Sequence, residues 1–204
     1  MTSRDAILAA VRANEPRLAP ALPDVPRFES TTRSLLDDFR EALLRMGGKF
    51  APKSGEDVGE FIRSLFPQAR VICSATAEVK GTRGLARNTN PTDLADVDVG
   101  IVRAAFGVAE TGSIWLSEAE LQVNALAYLA QHFVVLLDPS DILGNLHDAY
   151  RDPRFKTARY AVLVTGPSAT ADIEGVLIHG AQGVRSLTVV PLACPIGDAG
   201  RNRV

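Results

Sequence analysis

The sequence has few of the residues that hold metal centres in proteins. Its 204 residues include two cysteines, Cys73 and Cys194, and three histidines, His132, His147 and His179. Two cysteines cannot supply a four-cysteine iron–sulfur cluster or zinc site, so a reduced pair of thiols is expected. The histidines follow no metal-ligand spacing, and we expect core or surface roles for them. The sequence therefore predicts no metal site and no cofactor bound by this chain.

Strong net charge and long apolar runs are also missing. Lys+Arg number 22 and Asp+Glu 24, a net charge of −2, which favours neither nucleic acid nor an anionic membrane. No apolar run approaches the roughly 18 residues of a membrane span, and no signal peptide is evident, so a cytoplasmic protein is predicted. Dinucleotide, nucleotide-triphosphate and nucleophile-elbow motifs are absent. What is present, 46% apolar and 23% charged residues, is typical of a globular domain.

The amino-terminal part of the chain differs from the rest. Residues 2–13 have a capping-box start and an apolar stripe, which predict a helix. Residues 14–29 contain four prolines, which favour an extended linker. We therefore divide the chain into a helix and linker at 1–29 and an α/β domain at 30–204. The stripe that would dock on the body or on a partner consists of Ile7, Leu8 and Val11.

Apolar periodicity predicts alternating helices and strands in the rest of the chain. Helices are predicted over residues 31–46, 55–66, 118–130, 139–150 and 169–180, with capping signals at Ser54–Asp57, Ser117–Glu120 and Asp138. Strands are predicted over residues 70–74, 97–102, 106–109, 113–116, 132–137, 159–165 and 186–192. Apolar strands that alternate with helices indicate a three-layer α/β fold with a mainly parallel sheet covered on both faces.

A hairpin tip carries the first candidate site. Its residues are Glu110, Thr111, Gly112 and Ser113, between two apolar strands. A carboxylate there would be partly desolvated, and Gly112 would let a ligand approach the backbone. Glu110 is then a candidate nucleophile, general base or ligand-orienting group. A plain hairpin turn with a surface glutamate explains the pattern equally well.

A strand-to-helix junction carries the second candidate site, at Gly166, Pro167 and Ser168. A helix amino terminus there would bind a phosphate or carboxylate, although Asp172 and Glu174 would oppose an added anion. A well-capped structural helix is the alternative. The loop at 76–95, with Lys80, Arg83 and Arg87, is a weaker anion candidate and more often just a solvated loop. The segment Asp96–Gly100 is read as an acidic loop beside a strand.

Two segments in order resemble one known family. DVGIVRAAFGVAETGSIWL and VTGPSATADIEGVLIHGAQGVRSLTVVPL resemble the central and carboxyl-terminal motifs of the LUD-domain family, in its lactate-utilisation protein C (LutC/YkgG-like) group. SRDAILAAVR and FREALLRMGGKF look like its first two helices, so the resemblance covers nearly the whole chain. It implies a fold like that of NagB/RpiA/CoA-transferase proteins. It also implies an accessory role beside two iron–sulfur partner proteins in the oxidation of L-lactate to pyruvate.

Carried over residue by residue, the resemblance places its two motifs at Glu110–Gly112 and within Gly166–Glu174. Together with the two candidate sites above, we expect a small anionic ligand or a partner protein there. The expected ligand-binding residues are Glu110, Thr111, Gly112, Ser113, Gly166, Pro167, Ser168 and Asp172. The chain departs from the family pattern at Val102, Arg103 and Ala169; Arg103 either supplies the anion's counter-charge from a new position or part of the site is lost. Two other functions stay open: an acyl-transfer or small-phosphate enzyme that uses Glu110, and a binding module without catalysis.

Overall fold

The computed structural model describes residues 2–15, 21, 23, 26, 34–52, 57–172 and 174–194. The helices are α1 (Ser3–Ala13), α2 (Leu35–Arg45), α3 (Val58–Leu65), α4 (Glu118–Leu121), α5 (Leu126–Leu129), α6 (Leu146–Arg151) and α7 (Pro153–Thr157). The strands are β1 (Lys49–Phe50), β2 (Ile72–Ser74), β3 (Val99–Arg103), β4 (Phe106–Val108), β5 (Ser113–Ser117), β6 (His132–Leu137), β7 (Ile142–Leu143), β8 (Ala161–Val164), β9 (Ala169–Thr170), β10 (Ile178–His179) and β11 (Ser186–Pro191). Two 3-10 helices span Pro91–Leu94 and Pro139–Asp141.

Five parallel strands form the main sheet, in the order β1-β11-β6-β3-β2. Side chains alternate between its two faces, as the pleat requires. Ile101 faces a cluster that includes Ile62 of α3, whereas Val102 faces a second cluster that includes Leu43 of α2 and Leu126 of α5. Both faces are covered, which confirms the predicted α/β fold and explains why these strands are apolar throughout.

A smaller mixed sheet covers part of the second face, in the order β7-β4-β5-β8. Strands β4 and β5 form the predicted hairpin, with Phe106 opposite Trp115. Ile114 belongs to the core shared with the main sheet. Phe106 and Trp115 lie on the other side, in a cluster that also holds Ala149 of α6.

Helix α1 begins with the predicted capping box, in which Thr2 and Asp5 bond each other's main chain. None of its residues is buried. Asp57 caps α3 by accepting from the amides of Gly59 and Glu60. The predicted partner Ser54, residues 16–20 and 27–33, and the tail after residue 194 lie outside the described residues. Within the described part of the chain, no helix is long and apolar enough to cross a membrane.

The single helix predicted at 118–130 is wrong. The capping box of Ser117 and Glu120 starts α4 as expected, but Gln122 has a φ of +57° and separates α4 from α5. Its side-chain amide donates to the carbonyl of Ala75 at 2.9 Å. The break lets both Leu121 and Val123 reach the core, which a regular helix would not allow at i and i+2.

The helix predicted from Pro139 to residue 150 is also interrupted. Asp138 accepts from the amide of Ser140 as an N-cap, but only a 3-10 turn follows. Ile142 and Leu143 then extend and pair with β4, and α6 begins only at Leu146. Pairing with the mixed sheet here outweighs local helix preference, which is a weak effect.

Two predictions for the segment between residues 159 and 180 also differ from the structure. The predicted strand at 159–165 exists as β8, but it pairs antiparallel with β5 in the mixed sheet. The predicted helix at 169–180 is wrong: β9 and β10 form a short antiparallel hairpin. Glu174 and Gly175, at its turn, both have positive φ, which a helix excludes.

Candidate functional site

The two sequence motifs lie side by side in the mixed sheet. Because β5 and β8 are antiparallel and Ile114 pairs with Val164, the start of β5 adjoins the end of β8. The hydroxyl of Ser113 lies 2.6 Å from that of Thr165 and 2.7 Å from that of Thr111. This chain of three hydroxyls connects the turn at Glu110–Ser113 with the turn at Gly166–Ser168. The structure thus brings together residues that are more than fifty positions apart in sequence.

Helix α2 fills the space beside both motif glycines. Gly112 has a φ of +67°, and a Cβ there would lie 2.3 Å from the amide nitrogen of Leu43. Gly166 has a φ of +78°, and its Cβ would lie 2.1 Å from the carbonyl oxygen of Met46. Only glycine tolerates both the left-handed backbone and this close approach. The close approach predicted for a ligand is therefore made by the end of α2.

Glu110 is exposed, contrary to the desolvated position predicted for it. Its carboxylate accepts from the amide of Leu146 at 3.0 Å, and its own amide donates to Gly144 at 3.1 Å. Asn145 also bonds this helix end, by accepting from the amide of Asp148 at 2.9 Å. Glu110 thus satisfies an amide at the start of α6, which is the role of an N-terminal capping group.

Ser168 lies in the hairpin and not at the predicted helix amino terminus. Its amide donates to Val184 at 3.1 Å, and its carbonyl accepts from Gly180 at 2.7 Å. Asp172 is exposed, with its amide donating to the hydroxyl of Thr170 at 3.3 Å. Without a helix here, the proposed source of an anion-binding dipole is absent from this segment.

The two weaker candidates bind other parts of the chain. Arg83 forms a two-point ion pair with Asp96, with distances of 2.7 and 2.5 Å, and this pairing holds the pKa of Asp96 below its usual value. Asp98 accepts from the amides of Val71 and Arg70 at 2.8 and 2.7 Å, and these bonds lower its pKa. Asp98 thus connects the segments that precede β2 and β3, and Asp96 connects to the 76–95 loop through Arg83.

A polar cluster lies at the carboxyl end of the main sheet. Of its residues, the sequence pattern singled out only Arg103. The Arg103 side chain is 19% exposed and its ion-pair partner Glu78 is 20% exposed. Nε of Arg103 donates to Glu78, and Nη1 donates to the carbonyl of Leu192 at 3.1 Å. The hydroxyl of Thr76 donates to the other oxygen of Glu78. Nη2 is buried and has no hydrogen-bond partner in the part of the chain that the structure describes.

Burial and packing define the surroundings of the two cysteines and of His132. Cys73 is buried, and burial raises the pKa of its thiol; Cys194 is half-buried, and both are free. His132 stacks on Phe66 and bonds the Ser186 hydroxyl at 2.8 Å, and burial lowers the pKa of its ring. Over the described ranges, no group of three or more His, Cys, Asp or Glu side chains could hold a metal ion.

Comparison with protein families gives a match to the LUD domain over residues 54–191. The chain belongs to the LUD-domain family. This LUD domain is 28% identical over 100 residues to an uncharacterized protein, NMB1437, from Neisseria meningitidis serogroup B. That alignment covers 48% of this chain and 43% of the relative, so it spans less than half of each.

A solved structure supports the fold. The LUD domain superposes on a DUF162-family protein from Deinococcus radiodurans with a TM-score of 0.60, over 77% of this chain and 95% of that one. The two share 16% sequence identity, so the likeness concerns the fold alone.

The three positions at which we expected departures from the family pattern occupy three different environments in this LUD domain. Val102 is buried in the main-sheet core, and Ala169 is exposed at the start of β9. Of the three, only Arg103 is charged, and its guanidinium lies at the carboxyl end of the main sheet. The signal in the sequence was a charged residue directly after the apolar run at Gly100–Val102.

Proposed function

We propose that this LUD domain is an accessory subunit of a cytoplasmic iron–sulfur system that oxidises L-lactate to pyruvate. It would act by binding a small anionic ligand or a partner protein. The observation that carries the proposal is the family match over residues 54–191, since LUD domains are associated with lactate utilisation. In this division of labour the partners bring the iron–sulfur clusters, because two cysteines cannot hold a four-cysteine cluster.

Helix α1 is the surface that we propose docks on such a partner. Ile7 and Val11 are 62% and 64% exposed, and Leu8 lies beside them on the same stripe. An amphipathic helix with an exposed apolar face can bind an apolar groove of another protein. This docking would account for an apolar stripe that is not buried against the described body.

Affinity capture from the native host grown on L-lactate tests the subunit proposal. The tagged full-length chain should retain two cysteine-rich iron–sulfur proteins, identified by mass spectrometry. The double substitution Ile7→Glu/Val11→Glu should lose them, whereas Ala9→Glu, on the opposite side of α1, should not. Deletion of the chain should also abolish L-lactate oxidation in these cells. Normal oxidation in the deletion strain would refute the subunit proposal.

The second hypothesis is that this chain is an acyl-transfer or small-phosphate enzyme in which Glu110 acts as nucleophile or general base. The carboxylate of Glu110 lies exposed beside the turn that carries Thr111 and Ser113, and one of its oxygens bonds the Leu146 amide. Glu110→Gln keeps an acceptor oxygen for Leu146 but removes the nucleophile or base. Loss of acyl-CoA or phosphate-ester turnover in Glu110→Gln would support catalysis. Turnover equal to that of the wild type would eliminate it.

A further inference from the structure

Arg103 has hydrogen-bonding capacity that the described fold does not use. A guanidinium carries five N–H donors in a planar fork. Glu78 takes Nε, and the carbonyl of Leu192 takes one donor of Nη1. Nη2, with two donors, is buried without an acceptor among the described residues. A buried, unpaired charged donor costs free energy, so an acceptor is expected at this position.

The position of Arg103 in the fold favours a ligand as that acceptor. In open parallel sheets, ligands bind outside the carboxyl ends of the strands. Arg103 is the last residue of β3, Glu78 follows β2, and Leu192 follows β11. The polar cluster is therefore built from residues at or beyond the carboxyl ends of three strands of the main sheet.

The bond to Leu192 is the part of the cluster that a ligand can replace. Its carbonyl is neutral, whereas hydrogen bonds from a guanidinium to a carboxylate are charge-assisted and can use Nη1 and Nη2 together. Leu192 and Cys194 are half-buried and Ala193 is exposed, so this segment lies at the surface. Displacement of the Leu192 carbonyl would open the Nη1–Nη2 edge of the fork and leave the Glu78 pair intact.

We propose that Arg103 binds the carboxylate of a small organic acid through Nη1 and Nη2, at the carboxyl end of the main sheet. Glu78 sets the charge of the ligand. Its carboxylate already neutralises Arg103, and it would repel a phosphate dianion more strongly than a carboxylate monoanion. The inference rests on the proposed function in that it gives the small-anion role a place in the fold.

Titration calorimetry on the purified full-length chain tests the site, with sodium L-lactate and sodium acetate as probes and lactamide as the neutral analogue. We expect saturable binding of the two carboxylates and none of lactamide. Arg103→Lys keeps the charge but loses the fork, and should weaken binding at least tenfold. Glu78→Gln leaves Arg103 without its counter-charge, and should tighten binding several-fold. Arg83→Lys, at an arginine that pairs with Asp96 outside this cluster, should have no effect.

Several outcomes would overturn the site. These are no saturable binding, equal binding by wild type and Arg103→Lys, weaker binding by Glu78→Gln, or inorganic phosphate binding as tightly as acetate. Circular dichroism checks that each variant is folded, and Glu78→Gln decides the question if Arg103→Lys is not. The result is separable from the subunit proposal, because captured iron–sulfur partners and deletion phenotypes do not depend on carboxylate binding by the isolated chain.

Discussion

The turn around Gly112 and the polar cluster around Arg103 differ in how far other parts of the chain fill their space and satisfy their hydrogen-bonding groups. At Gly112, the backbone of α2 occupies the space where a side chain would stand. At Arg103, a charged nitrogen is buried without a partner among the described residues. The turn belongs to the motif that carries the family resemblance, whereas Arg103 is a position at which we expected a departure from the family pattern. In this chain, the motif glycines secure the packing of α2, and Arg103 has hydrogen-bonding capacity that the described residues leave unused.

Adding one methyl group at the turn should have the largest effect. Gly112→Ala forces alanine into a left-handed backbone and against the amide of Leu43. We expect the free energy of unfolding to fall by about 3 kcal/mol or more, from backbone strain and overpacking together. Urea unfolding followed by circular dichroism measures this loss.

Gly175 provides the matched control for backbone strain. Its φ is +70°, close to that of Gly112, but a Cβ there would meet nothing within 4 Å. Gly175→Ala should therefore cost only about 1 kcal/mol, which is the strain component alone. Equal losses for the two variants would contradict the account that α2 packing makes Gly112 necessary.

Removing the charge of Glu78 in the polar cluster should have an intermediate effect on the free energy of unfolding. Glu78→Gln leaves Arg103 in place without its counter-charge, and we expect the unfolding free energy to fall by about 2 kcal/mol. This is less than the 3–5 kcal/mol typical of a fully buried pair, because about a fifth of each side chain is exposed. Adding Arg103→Met to Glu78→Gln should restore part of the loss. A double variant less stable than Glu78→Gln would show that Arg103 stabilises the fold without its partner.

The smallest effect is expected within the hydroxyl chain that connects the two motif turns. Ser113→Ala removes the hydroxyl that bonds both Thr111 and Thr165, and should cost about 1 kcal/mol. Thr165→Val should cost a similar amount alone. Together the two losses should be less than additive, because the shared bond is lost only once. Strict additivity in a double-mutant cycle would mean that this contact contributes nothing.

The main sheet was largely predictable because its signal is local. The run at 132–137 is a strand with the predicted bounds, and the caps at Thr2 and Ser117 form as their spacing indicated. The failures occur where a distant partner decides the structure. Ile142 follows a helix-start signal yet extends to pair with Gly107, and the segment after Ser168 folds into a hairpin at the edge of the domain.

The candidate site was predictable only in its parts. The sequence indicated that the turns at Gly112 and Gly166 were unusual, but it contained no sign that both face α2. The polar cluster was hidden for the same reason. Arg103 meets Glu78 and Leu192, which lie 25 and 89 residues away along the chain, and contacts over such separations have no local pattern.

The position of Trp115 makes it an intrinsic fluorescent probe of unfolding. Trp115 is the sole tryptophan of the sequence, is buried, and stacks on Phe106 with ring centroids 5.2 Å apart. Its emission therefore senses the mixed sheet, while far-ultraviolet dichroism averages over all helices and strands. If the two signals change at the same urea concentration, the two sheets melt as one cooperative unit. If fluorescence changes first, the aromatic side of the mixed sheet opens before the parallel strands do, without any added label.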